Sequence, residues 1–98
     1  MKEFEAVITG RVQRVMFRDF CQRKARSLGV TGTVQNIEDG GVRVIAQGNE
    51  AALHDLIKKL NRGSLASRVD DVVVSWREPT CNFTDFSIVF NNNLLDQL

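Results

Sequence analysis

The chain has 98 residues, 43% of them hydrophobic and 26% charged, with 13 Lys and Arg against 12 Asp and Glu for a net charge of +1. That length makes one domain able to bury its own core, the composition excludes disordered and fibrous classes, and the charge balance leaves no electrostatic footprint for nucleic acid. Cys21 and Cys81 lack C-x-x-C spacing and His54 is the single histidine, which argues against a metal site and for free thiols in a reducing compartment.

Phe4 to Thr9 alternates before Gly10 and predicts a strand. From Phe17 to Leu28 the apolar residues Phe17, Phe20, Cys21, Ala25 and Leu28 fall on one helical face, closed by Gly29. Val30 to Gln35 reads as a strand, Asn36 to Gly41 as a turn, and Val42 to Ala46 as a strand, which together make a hairpin. Asn49 is the expected N-cap of a second helix carrying Leu53, Leu56, Ile57 and Leu60, ended by Asn61 to Ser64. Val69 to Trp76, stopped by Pro79, and the alternating Phe86, Ile88 and Phe90 complete the set as two strands. The order β-α-β-β-α-β-β predicts a ferredoxin-like α+β sandwich. Two helices pack on one face of an antiparallel sheet of about five strands. Residues 1–90 form the expected domain and 91–98 a tail whose Leu94, Leu95 and Leu98 can dock on the body or a partner. No apolar run reaches the length of a membrane span, and Lys2, Glu3 and Glu5 spoil a signal-peptide pattern. The expectation is a cytoplasmic protein, monomeric by default.

The stretch from Gly10 to Arg18 carries the chemistry. Gly10, Arg11, Val12, Gln13, Arg14, Val15 and Met16 read as a turn between strand and helix whose N–H groups suit an anion. Arg18, in the first turn of the helix, offers a planar fork matched to phosphate oxygens. Taken alone, Arg18 is a solvated helix arginine and Asn36 a hairpin asparagine chosen for turn geometry; the preceding turn favours the phosphate role for Arg18. Gln13 either holds the turn through side-chain hydrogen bonds or is merely exposed. Val12, Val15 and Phe17 read as core anchors, Gly32 and Gly48 as sites of tight packing, Gly40 and Gly41 as turn glycines, His54 as a surface residue and Trp76 as core or edge packing.

Gly10-x-Val12-Gln13-x-Val15-x-Phe17-Arg18 resembles the first signature of the acylphosphatases, enzymes that hydrolyse carboxyl-phosphate anhydrides. Gly32-Thr33-Val34-Gln35-Asn36-x-x-x-Gly40-x-Val42, with Gly48 following, is similar to their second. The resemblance covers roughly residues 3 to 90 and implies a small acyl phosphate as substrate and inorganic phosphate as product, with no cofactor and no metal. The leaving group is a carboxylate, which needs no general acid at neutral pH. The remaining tasks are to hold the phosphoryl group, neutralise its oxygens and aim a water in line. Arg18 and the turn N–H groups suit the first two tasks, and Asn36 suits the third, since its carbonyl can accept from water. A neutral amide is a poor base, so the water's proton is expected to pass to a substrate phosphate oxygen, a step the resemblance also implies. No nucleic-acid or membrane partner is expected.

Three positions depart from the family pattern: Arg14 stands where glycine is usual, Thr33 where an aromatic is frequent, and Ile37 where some members have a small polar residue. Arg14 either strains the cradle or adds a useful cation. The first alternative leaves a non-catalytic phosphate-binding module. A nucleic-acid-binding domain of this architecture is disfavoured, because Val42 to Ala46 carries no aromatic for base stacking.

Overall fold

The computed structural model describes residues 1–90; the tail expected over 91–98 lies outside the described residues. The elements are β1 (Lys2–Arg11), α1 (Phe17–Ser27), β2 (Thr31–Asn36), β3 (Val42–Gly48), α2 (Glu50–Arg62), β4 (Arg68–Arg77) and β5 (Phe86–Val89). Strand alternation puts Phe4, Ala6, Ile8, Val34, Val42, Val44, Ala46 and Phe86 on one face of the sheet, all fully buried. Phe17, Phe20, Cys21 and Ala25 of α1 and Leu53, Leu56 and Leu60 of α2 close over that face in the same cluster. Asn49 caps α2 as expected, its side chain accepting from the Ala52 N–H at 2.8 Å. Trp76 packs edge-on against Phe4, and exposed His54 lies beside its ring.

The sheet has the order β4-β1-β3-β2-β5. Every pairing is antiparallel except that of β5 with β2, so the all-antiparallel expectation is corrected to a mixed sheet. The reason lies in where the last crossing is held. β4 ends at Arg77, opposite Glu3 at the start of β1. Residues 78–85 then cross to the far edge along that same end of the sheet. A strand that begins there must run in the direction of β1 and β2.

A buried carboxylate anchors the crossing. Glu3, on the face away from the helices, is completely buried. It accepts from Gln47 Nε2 at 2.8 Å, Arg77 Nε at 2.5 Å, Thr80 Oγ1 at 3.1 Å and the Thr80 N–H at 3.3 Å. Gln47 Nε2 also donates to the Cys81 carbonyl, and Gln47 Oε1 accepts from the Phe83 N–H. Burial pushes the Glu3 pKa up, but the hydrogen bonds from Gln47, Arg77 and Thr80 outweigh it and hold the carboxyl below its ordinary value. A carboxylate whose folded pKa is depressed stabilises the fold above its unfolded pKa and loses that contribution as pH falls through the folded value.

Cys21 is buried, Cys81 is exposed, and both are free thiols; burial pushes the Cys21 pKa up. No helix among the described residues is long and apolar enough to cross a membrane. Two glycines expected at tight packing differ. A Cβ at Gly32 would sit 1.8 Å from the Ile45 carbonyl oxygen, whereas at Gly48 the nearest atom is 3.5 Å away, an ordinary contact.

Glu3→Gln should lower stability at pH 7 by roughly 2 kcal/mol, since an isostere keeps the shape but loses the charge that Arg77 faces. The gap between variant and parent should close as pH falls below about 4. Urea unfolding at pH 7 and pH 3 checks this; an unchanged gap would show that the carboxylate is not the titrating group.

Candidate active site

The carboxyl ends of β1, β2 and β5 lie at one end of the sheet, and α1, which follows β1, begins there. β1 runs further than its alternation predicts and includes Gly10 and Arg11, so the connecting loop is confined to residues 12–16. Gly10 sits at a register shift between β1 and β4 with φ 127°, and a Cβ there would lie 2.1 Å from the Arg68 carbonyl oxygen. Only glycine fits this bulge, which turns the chain out of the sheet and into the loop. Val12 and Phe17 are buried at either side of the loop as expected, with Val15 packed against the same core.

Arg14 and Met16 both have left-handed backbones, φ 59° and 60°, and the intervening Val15 does not. Alternation of φ sign is what makes neighbouring N–H groups converge into an anion-binding concavity. A side chain in that conformation costs on the order of 1–2 kcal/mol. Met16 is also the N-cap of α1 and contributes no side-chain cap, so the positive end of the helix is left to whatever the loop surrounds.

Gln13 fixes the loop against the hairpin. Its Nε2 donates to the Ile37 carbonyl at 2.8 Å and to the Gly41 carbonyl at 2.7 Å. The hairpin turn is itself closed by the Ile37 N–H to the Gly41 carbonyl at 3.0 Å. Asn36 is the last residue of β2, opposite Val42, rather than part of the turn, and is only 5% exposed. It shares the helix-covered face with Val34, and Gln35 pairs with Val89 of β5. Phe90, expected in the last strand, follows the end of β5 and is 53% exposed. The Arg18 guanidinium carbon lies 5.0 Å from its ring centroid. Arg18, Arg14, Met16 and Phe90 line a cavity of about 390 Å³ with Val12, Phe17, Asp19 and Ile88. A larger hollow of about 550 Å³, lined by Lys2, Glu50, His54, Trp76, Arg77 and Glu78, lies at the opposite end of the sheet and contains none of the expected site residues.

The acylphosphatase family model matches residues 4–88. The chain belongs to the acylphosphatase family. An acylphosphatase of Salinibacter ruber is 45% identical over 87 residues, which span 89% of this chain and 92% of that one. One of Methanococcoides burtonii is 43% identical over 84 residues, 86% of this chain and 88% of its own. The crystal structure of acylphosphatase from Bacillus subtilis matches with a TM-score of 0.89 at 36% identity, covering 92% of this chain and 100% of that chain.

Two features of the candidate site were only partly legible or not legible in the sequence. Hydrogen bonding by the Gln13 side chain was one of two open readings, and no local pattern says which carbonyls a glutamine will reach 24 and 28 residues away. Phe90 alternates with Phe86 and Ile88 and so reads as core; its contact with Arg18 depends on β5 running parallel to β2, which alternation does not encode. Among the described residues, no group of three or more His, Cys, Asp or Glu is placed to hold a metal ion.

Gln13→Leu should leave the Ile37 and Gly41 carbonyls without this donor, cost about 1–3 kcal/mol of stability and lower turnover at least tenfold. Gln13→Glu should be worse for activity, since a carboxylate cannot donate and brings negative charge to the loop. Unfolding curves and acyl phosphate hydrolysis, measured on both variants, check this order.

Proposed function

We infer that the chain hydrolyses the carboxyl-phosphate bond of small acyl phosphates at the cavity beside residues 12–18, with Arg18 and the loop N–H groups as the phosphate clamp and Asn36 as the residue that aims the water. The reaction class comes with family membership. The observation that carries the assignment is the convergence of the left-handed loop at Arg14 and Met16 with the uncapped start of α1, both beside Arg18.

In this reading the phosphoryl oxygens sit against the N–H groups of the loop and of the first helical turn, and the Arg18 fork neutralises the equatorial oxygens. Its ring contact with Phe90 limits the orientations the guanidinium samples, which reduces the ordering left to be done on binding. Asn36 accepts a hydrogen bond from the attacking water through its amide oxygen. The water oxygen bonds to phosphorus as the bond from phosphorus to the acyl oxygen breaks. The bonding pair leaves with the carboxylate, and the water's proton passes to a phosphate oxygen. No protein group has to change protonation state, which accords with the lack of a Cys, His or carboxylate at the fixed positions of either motif; Glu38 and Asp39 stand at variable positions of the second. A non-catalytic anion-binding module is not favoured, because the relatives that match most of the chain are acylphosphatases. A single domain over residues 1–90, a monomeric state and a cytoplasmic setting belong to the same proposal, the last supported by the two free thiols.

Arg18→Ala should lower hydrolysis of benzoyl phosphate about 10²–10³-fold and weaken competition by inorganic phosphate. Asn36→Ala should abolish most turnover while phosphate still competes for whatever activity is left and still shifts the thermal midpoint. Steady-state kinetics in the presence of a chelator, paired with thermal shift, checks both. Unchanged turnover by Asn36→Ala would remove it from the mechanism.

A further inference from the structure

We propose that Arg14 makes this site selective for acyl phosphates whose acyl group carries a negative charge of its own. The inference rests on the assignment of the cavity beside residues 12–18 as the active site. Three charged side chains line that cavity: Arg14, Arg18 and Asp19. Asp19 is held by Arg23 at 2.9 Å, one helical turn further on. Arg18 is the cation assigned to the phosphoryl group. Among the described residues Arg14 takes part in no ion pair, and its side chain is exposed. The cavity thus holds a second cation besides the one assigned to the phosphoryl group.

The position of that cation gives it a partner. Arg14 shares the cavity with Met16, Ile88 and Phe90, of which Met16 is 76% and Phe90 53% exposed. Once the phosphoryl group is seated on the loop, the carbon skeleton of the acyl group has this apolar surface to lie on. Arg14 is then the group available to a carboxylate at its far end. Arg14 also occupies a φ of 59°, which glycine adopts without penalty and an arginine does not. An outlier maintained at a ligand-binding loop is a reason to look for what its side chain does.

The test compares benzoyl phosphate with 4-carboxybenzoyl phosphate, rigid acyl groups that differ by one carboxylate. The parent protein should favour the charged substrate in kcat/KM. In Arg14→Gly, which suits the backbone better, the ratio of the two kcat/KM values should fall about 5–10-fold, the range of one partly exposed charge-assisted contact. Arg14→Lys should retain most of the preference. Raising the salt from 0.05 to 0.5 M should erode the preference in the parent and leave Arg14→Gly flat. If Arg14→Gly changes both substrates by the same factor, the arginine acts on the phosphoryl group or the loop, and the inference is overturned while the active-site assignment stands. If the parent hydrolyses neither substrate, the assignment itself fails.

Discussion

The two hydrogens of the Gln13 amide nitrogen hold together the parts on which the site depends. One is donated to Ile37 and the other to Gly41, and those residues close the turn that follows Asn36. The loop before α1 and the hairpin after β2 are far apart in sequence, and each has left-handed or turn geometry that little else in the core dictates. The pairing of β1 with β3 brings them to the same end of the sheet, and the Gln13 side chain ties one to the other. Positioning accounts for most of what an enzyme contributes to phosphoryl transfer, so in the proposed mechanism the amide that ties loop to hairpin acts on geometry and not on the chemistry itself.

The two ends of the sheet differ in kind, one holding a buried carboxylate and the other the candidate site. At one end buried Glu3 and Gln47 join half-buried Arg77 and exposed Thr80 in a hydrogen-bonded cluster that fastens the 78–85 crossing. At the other, backbone strain is concentrated at Arg14 and Met16, and apolar side chains are left exposed. The buried charge is satisfied by donors from β3, from β4 and from the crossing, so the arrangement is cooperative: no one segment can form it alone. It also fixes where β5 starts, and through the parallel pairing of β5 with β2 it determines where Phe90 emerges. The ion cluster and the candidate active site are thereby linked by strand direction although they do not touch.

Much of the architecture was legible from periodicity. Leu53, Leu56 and Leu60 mark the buried face of α2, Asn49 marks its start, and Phe4, Ala6 and Ile8 sit on the inner face of β1. Arg18 and Asn36 stood out only as members of spaced motifs, since either residue type alone is common on surfaces and in turns. Arg14 was recognisable as a departure, and its φ of 59° shows that the loop keeps its left-handed shape with a side chain present. The direction of β5 and the partners of Glu3 and Gln13 were not legible. Each depends on contacts between residues more than 20 positions apart, for which a single sequence has no local signal. Asn36 was misplaced into the turn by one residue, the ordinary imprecision of a boundary where strand and turn residues have similar propensities.

The two edges of the sheet are unequal: β5 spans 4 residues and β4 spans 10. Among the described residues the longer edge has no strand on its outer side, the arrangement by which folded chains add to one another in ordered aggregates. Its sequence works against that. The apolar run Val72 to Val74 is bounded by Asp70 and Asp71 on one side and by Ser75 on the other, with Arg68 and Arg77 at the strand ends. The uncharged stretch between Asp71 and Arg77 is five residues, Val72 to Trp76, shorter than the six- or seven-residue segments typical of dry stacked interfaces, and the flanking charges would be desolvated by a neighbouring strand. The placement of acidic and basic residues along this edge opposes strand addition.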